Sequence, residues 1–112
     1  MATKEEVMNG LNKIKSRLDD PINKEKFKDF TKKMQFTFTD LNTSYVMDVV
    51  NGQAQSLKEV SIEKPDIMVT IKSDVLLSIL DKKMNPVTSY MTGKIKVKGA
   101  MSDLLKLQKI MF

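Results

Sequence analysis

Residues 84–112 read MNPVTSYMTGKIKVKGAMSDLLKLQKIMF, and three successive patterns in that stretch decide the architecture. Asn85 is a helix-capping residue, and Pro86 follows at the first helical position, where its missing N–H leaves no bond unmade. The spacing predicts a short helix from Pro86, ended by Gly93. Lys94–Lys98 then alternates lysine with Ile95 and Val97, the two-residue period of a half-buried strand. Gly99 breaks the strand, and Ser102 or Asp103 is expected to cap a closing helix. Placed around that helix, Met101, Leu104, Leu105, Leu107, Ile110 and Met111 fill an arc of roughly 220°, whereas packing on one sheet asks for about 100°. Gln108 falls inside the arc; Ser102, Asp103, Lys106 and Lys109 share the remainder. A helix this broadly apolar buries two sides, one on its own fold and one on a second element, a partner chain or a ligand.

Upstream, Thr3 with Glu6 forms a capping box. Val7, Leu11, Ile14 and Leu18 follow at helical spacing, so residues 4–19 are expected as an amphipathic helix that Asp20-Pro21 ends. A second helix is expected with Asn23 as its cap, Ile22 stapled onto Phe27, and Phe27 and Phe30 on its inner side. At Met34 the period changes to two: Met34, Phe36 and Phe38 alternate with Gln35, Thr37 and Thr39, and then Tyr45, Met47 and Val49 with Val46, Asp48 and Val50. Asn51-Gly52 is a tight-hairpin signal. The strand after it, around Ala54–Val60, is weakly patterned and reads as an edge or bulged strand, and Ile67, Val69 and Ile71 mark the next one. Ser73-Asp74 is expected to cap a buried helix through Val75, Leu76, Leu77, Ile79 and Leu80. The order is two helices, an antiparallel run of four strands, two helices, a strand and a helix. It predicts a single α+β domain over residues 1–112: a five-stranded, mostly antiparallel sheet covered on one face by about five helices.

Cysteine and histidine are both absent, so the chain offers no disulfide, no thiolate nucleophile, no imidazole base and no Cys- or His-ligated metal. None of its 14 carboxylates pairs with another on an otherwise apolar face. The reading is therefore a protein that is not an enzyme and uses neither cofactor nor metal. Net charge is +5, with 19 basic residues of which only Arg17 is arginine. Nucleic-acid readers lean on arginine and stacking aromatics, and a chain with one arginine, no Trp, two Tyr and five Phe argues against that partner. An anionic membrane surface suits the lysines better. Nine methionines are a high count that ordinary core packing accommodates and that a cavity adapting to varied apolar ligands would also show. No apolar run reaches the ~20 residues of a spanning helix, the first ten residues lack a secretory pattern, and the last four carry no peroxisomal address. The cytoplasm is the expected compartment.

The run Lys83-Met84-Asn85-Pro86, then Ser89-Tyr90-Met91-Thr92-Gly93-Lys94-Ile95-Lys96-Val97-Lys98-Gly99, then Leu105-Lys106-Leu107-Gln108, resembles the C-terminal signature of the sterol carrier protein-2 family of non-specific lipid-transfer domains. The likeness continues upstream through Pro65–Ile71 and Ser73–Leu76 and, more loosely, Tyr45–Gly52. Lys82 stands where members of the family usually have glycine. The resemblance implies the same helix and strand layout. It also implies an apolar cavity between the sheet and the C-terminal helix for fatty acid, acyl-CoA, phospholipid or sterol. On that basis the candidate lipid-binding residues are Met84, Met91, Met101, Leu104, Leu105 and Gln108, with Ile95 and Phe36 beneath them. Lys94, Lys96 and Lys98 are the candidate contacts to an anionic membrane. The alternative is an interaction module that docks through its apolar C-terminal helix and holds no small molecule; a basic nucleic-acid-binding domain using the same lysine stripe is a weaker one.

Overall fold

A computed structural model describes residues 1–112. The chain runs α1 (Lys4–Leu18), α2 (Pro21–Lys24), β1 (Lys32–Phe38), β2 (Thr43–Val50), β3 (Gln53–Lys58), β4 (Ile67–Ile71), α3 (Ser73–Leu80), α4 (Pro86–Met91), β5 (Ile95–Lys98) and α5 (Met101–Met111). One five-stranded sheet has the order β3-β2-β1-β4-β5. Three of its pairings are antiparallel, but β4 lies parallel to β1, with Met34 opposite Ile67 and Phe38 opposite Ile71. The expected antiparallel run of four strands is therefore wrong at its last member. Residues 59–66 do not turn back beside β3 but cross the open face of the sheet, where the Ile62 N–H donates to Oε1 of buried Gln35 at 2.8 Å. β3 is the expected edge strand, with an irregular register opposite Asp48 and Val49.

Alternation sends Met34, Phe36, Phe38, Tyr45, Met47, Val49, Ile67, Val69 and Ile71 to one face, all buried. Val7, Leu11, Ile14 and Leu18 of α1 close over them, together with Leu76, Ile79 and Leu80 of α3 and Leu107 and Ile110 of α5. Phe27 and Phe30 plug the end of this core edge to face, their ring centroids 5.4 Å apart. Gly10 is where α1 meets α3: a Cβ there would stand 2.9 Å from Leu77 Cδ2. In the β2–β3 hairpin, Asn51 (φ 49°) and Gly52 (φ 78°) both adopt the left-handed backbone of a type I′ turn. A Cβ on Gly52 would also run into the Phe27 carbonyl.

Helix starts depart most from the sequence reading. The capping box of α1 is present. α2, however, is four residues long and is capped by Asp20, whose Oδ1 accepts from the Ile22 N–H at 2.9 Å. Ile22 is 75% exposed and staples nothing, and Asn23 instead donates its side-chain amide to the Arg17 carbonyl at 2.9 Å. α5 begins behind Ala100, so Ser102 and Asp103 lie inside the helix; Asp103 is buried and pairs with Lys32 at 3.3 Å. Ser73 and Asp74 do not cap α3 either. Its first N–H, on Ser73, donates at 3.0 Å to Asp40 from the β1–β2 turn, and the Ser73 hydroxyl donates to the same carboxylate. Lys82 follows α3 with φ 62°, a left-handed conformation that costs a non-glycine residue about 1–2 kcal/mol.

Desolvation pushes the Asp40 carboxyl up, but the Ser73 hydroxyl and N–H hold it down, and the net pKa lies below the ordinary 3.8. A carboxylate held low in the folded state stabilises above its unfolded pKa and loses that contribution as pH falls through the folded value. Asp40→Ala should cost about 1–2 kcal/mol near pH 7, as a lost helix cap does, and the deficit measured by urea unfolding should shrink steadily below about pH 4. The sole arginine gives a second test. Arg17 Nη1 donates to the Ile110 carbonyl at 3.1 Å and Nη2 to the Leu80 carbonyl at 3.0 Å. Arg17→Lys cannot span both acceptors and should lower stability by about 1–2 kcal/mol in the same assay.

Candidate functional site

An apolar pocket of about 300 Å³ lies at the β5 edge of the molecule, between α4, β5 and α5. α4 supplies Pro86, Val87 and Tyr90, oriented by an Asn85 cap whose Oδ1 accepts from the Val87 N–H at 2.8 Å and the Thr88 N–H at 3.2 Å. β5 supplies Ile95 and Val97 from its inward face as the floor. α5 supplies Met101, Leu104, Leu105, Leu107, Gln108 and Met111. Its wide apolar arc is thus divided. Leu107, Ile110 and Met111 are buried against the fold, while Met101 (71% exposed), half-buried Leu104 and Leu105 (57% exposed) turn toward α4.

Of the residues singled out from the sequence, Ile95, Met101, Leu104, Leu105 and Gln108 are brought together in this wall. Phe36 is fully buried under the helices and does not reach the pocket. Met84 packs half-buried against the core before α4, and Met91 stands 78% exposed at the end of α4. Sequence reasoning missed Val87 and Tyr90; a helix of six residues has too few turns for a face to be read from its period. It also gave Leu107 and Met111 no part in the wall. The alternation that turns Ile95 and Val97 inward sends Lys96 and Lys98 to the opposite face of the sheet, and Lys94 lies exposed just before β5.

The walls carry almost no polar chemistry. Nine of the eleven lining residues are hydrophobic, and the Gln108 amide and Tyr90 hydroxyl are the only polar side-chain groups. The perturbed ionisable groups lie elsewhere. Lys4 is raised and Glu59 lowered by their mutual hydrogen bond of 2.7 Å, and Tyr45 is raised first by burial and then by Glu59. Glu59, with Thr37, Asn42, Thr43 and Ser44, lines a second, polar trough of about 490 Å³ that is open to solvent, where water competes for every group. No cluster of three or more acidic groups that could hold a metal ion occurs in the molecule. Of these two, the α4–β5–α5 pocket is the one with apolar walls.

Residues 11–112 match the model of the SCP-2 sterol transfer family. Among curated proteins, the chain is 37% identical over 67 residues to sterol carrier protein 2 of Bos taurus, covering 60% of this chain and 12% of that one. It is 29% identical over 91 residues to hydroxysteroid dehydrogenase-like protein 2 of Xenopus laevis, covering 80% of this chain and 22% of that one. The chain thus spans a small part of the length of these relatives. Among solved structures it is similar to the sterol carrier protein domain 2 of Helicoverpa armigera, with a TM-score of 0.76 and 20% identity over 98% of this chain and 90% of that one. It is also similar to palmitated SCP2L2 from Aedes aegypti, with a TM-score of 0.72 and 18% identity over 98% of this chain and 95% of that one. At these identities the structural likenesses establish the fold.

The division of α5 predicts two different responses to one kind of substitution. Leu105→Asp places a carboxylate at the solvent-reached mouth and should change unfolding free energy by less than about 1 kcal/mol. Ile110→Asp places it in the core and should cost more than about 3 kcal/mol or prevent folding. Equal losses in urea unfolding would mean that Leu105 is a core residue.

Proposed function

The chain belongs to the SCP-2 sterol transfer family, and from that premise we propose that it carries single lipids in the α4–β5–α5 pocket, acting by binding alone with no chemical step. One observation carries the reading: a pocket lined almost wholly by apolar side chains, at the place where the closing helix has more apolar surface than its own packing uses. A methylene takes up about the space of a water molecule, ~30 Å³, so the pocket has room for roughly ten. At ~0.8 kcal/mol per buried CH₂ these supply ~8 kcal/mol before association costs, enough for useful affinity without specific polar contacts. Ile95, Met101, Leu104 and Leu105 would hold the chain of the ligand, Met84 and Phe36 would back them from within, and Met91 would guard the rim. Fatty acid is the simplest occupant; acyl-CoA and phospholipid would leave their head groups outside, and a sterol would need the methionines to yield. A relative of the same fold has been solved in palmitated form.

Delivery requires contact with a membrane, and the positive charge of Lys94, Lys96 and Lys98 would draw the protein toward anionic lipid. No helix is long and apolar enough to cross a membrane; the cytoplasm is the proposed compartment. The exposed Met101 and Leu105 favour a second reading, in which α5 docks on a protein partner and the pocket stays empty.

Native mass spectrometry of the purified chain separates the two: co-purifying or added fatty acid retained as a one-to-one complex supports the carrier, and its absence under all loading conditions overturns it. Leu105→Asp should weaken binding of a fluorescent fatty acid by at least tenfold while the protein stays folded. Gln108 gives a finer test: its side chain is exposed and stands in the pocket wall, where its amide could hydrogen-bond a ligand head group. Gln108→Leu should bind plain alkyl chains as well as before and lose preference for those bearing hydroxyl or carboxyl groups. An unchanged preference would remove Gln108 from the site.

A further inference from the structure

The carrier reading leaves open how a lipid reaches the pocket, and the surface around the mouth bears on it. Val87 and Tyr90 of α4 and Met101 and Leu105 of α5 line the opening, Met91 follows Tyr90 at the end of α4, and all five are exposed, Met91 by 78% and Tyr90 by 56%. The other exposed large hydrophobic residues, Met1, Ile22, Val50, Val60 and Phe112, belong to five different segments of the chain.

Charge is distributed with the same bias. From Lys82 to Phe112 the chain carries seven lysines and one acidic side chain, Asp103. That one carboxylate is buried and faces Lys32 at 3.3 Å, so it does not offset the lysines at the surface. The remaining 81 residues carry the other twelve basic and thirteen acidic side chains, and are close to neutral. The cationic excess of the whole protein therefore resides in the segment that builds the pocket and its rim.

An apolar rim with a tyrosine, set in a lysine-rich and acid-poor segment, matches the two layers of an anionic bilayer surface: acyl chains below, phosphates and carboxylates above. Neither nucleic acid nor an acidic protein would reward five exposed apolar side chains, and an apolar protein partner would not reward the lysines. We infer that the mouth of the pocket is itself the membrane-docking face, the α4–α5 rim entering the interface of an anionic bilayer so that a lipid passes into the pocket without crossing water. This rests on the carrier reading and adds to it which side of the molecule meets the membrane: the rim inserts, Lys94 and Lys109 flank it, and Lys96 and Lys98 act only at longer range from the far face of the sheet.

The chain has no tryptophan, so single tryptophans report position without background. Met91→Trp beside the rim and Val50→Trp on β2, three strands away from β5, are to be titrated with phosphatidylcholine vesicles, with and without about one-third phosphatidylserine, at low and high salt. With the anionic vesicles, Met91→Trp should shift its emission to the blue and be quenched by brominated acyl chains, while Val50→Trp should do neither. Affinity should fall roughly fivefold for each lysine of Lys94 and Lys109 changed to Gln, and high salt should abolish the anionic preference. A silent Met91→Trp, or a Val50→Trp that responds as strongly, overturns the inference. Binding of a soluble fluorescent fatty acid to the natural chain is measured alongside. Fatty acid bound while Met91→Trp stays silent refutes the docking face alone, and rim insertion without fatty-acid binding refutes the carrier reading alone.

Discussion

The guanidinium of Arg17, in the last turn of α1, donates to the Leu80 carbonyl at the end of α3 and to the Ile110 carbonyl at the end of α5. Both acceptors belong to the final helical turns, whose carbonyls have no partner within their own helix and carry the negative end of the helix dipole. One rigid fork thus answers two helix ends at once and ties three helices into a single lid on the sheet. The Asn23 side chain donates to the Arg17 carbonyl at 2.9 Å, so the turn after α1 fixes the backbone from which the fork reaches. The pocket depends on this arrangement, because α5 is one of its walls and the end of α5 is what Arg17 holds.

Held there, α5 faces two environments. Leu107, Ile110 and Met111 complete the core, and Met101, Leu104 and Leu105 remain over for the space beside α4. Ordinary packing would have closed that gap, but Asn85, Pro86 and the buried Ser89, whose hydroxyl donates to the Asn85 carbonyl at 2.8 Å, set α4 apart as its own short helix. The pocket is therefore a gap between two separately anchored helices, floored by the edge strand β5.

Much of this was legible because the signals were local. Thr3 and Glu6 named the start of α1, Asn51-Gly52 the hairpin, the period-two alternation of Met34, Phe36 and Phe38 the buried face of β1, and the arc of α5 its double duty. What could not be read was non-local. Asp40 caps α3 from 33 residues away, and no spacing rule points to it. The direction of β4 was misread because Ile67, Val69 and Ile71 alternate identically whether the strand runs parallel or antiparallel. Phe36 and Met84 carry the same apolar character as the pocket residues, and only three-dimensional placement separates a side chain that fills the core from one that lines a gap.

The parallel pairing of β1 with β4 also governs the order in which the sheet can assemble. Ile67 pairs with Met34, a separation of 33 residues (67 − 34), whereas Thr43 pairs with Phe38 across a four-residue turn. Closing the longer loop costs roughly 1.5–2 kcal/mol more chain entropy than closing the short one. The β1–β2–β3 meander can therefore form from neighbouring segments, while the central β1–β4 contact must wait for the chain to return. Until it does, Met34, Phe36 and Phe38 sit on an unpaired edge of the kind that joins to other chains. Lys32 and Lys33 at the head of that strand place two like charges where a second copy would have to align, a safeguard built into the sequence for the interval before β4 arrives.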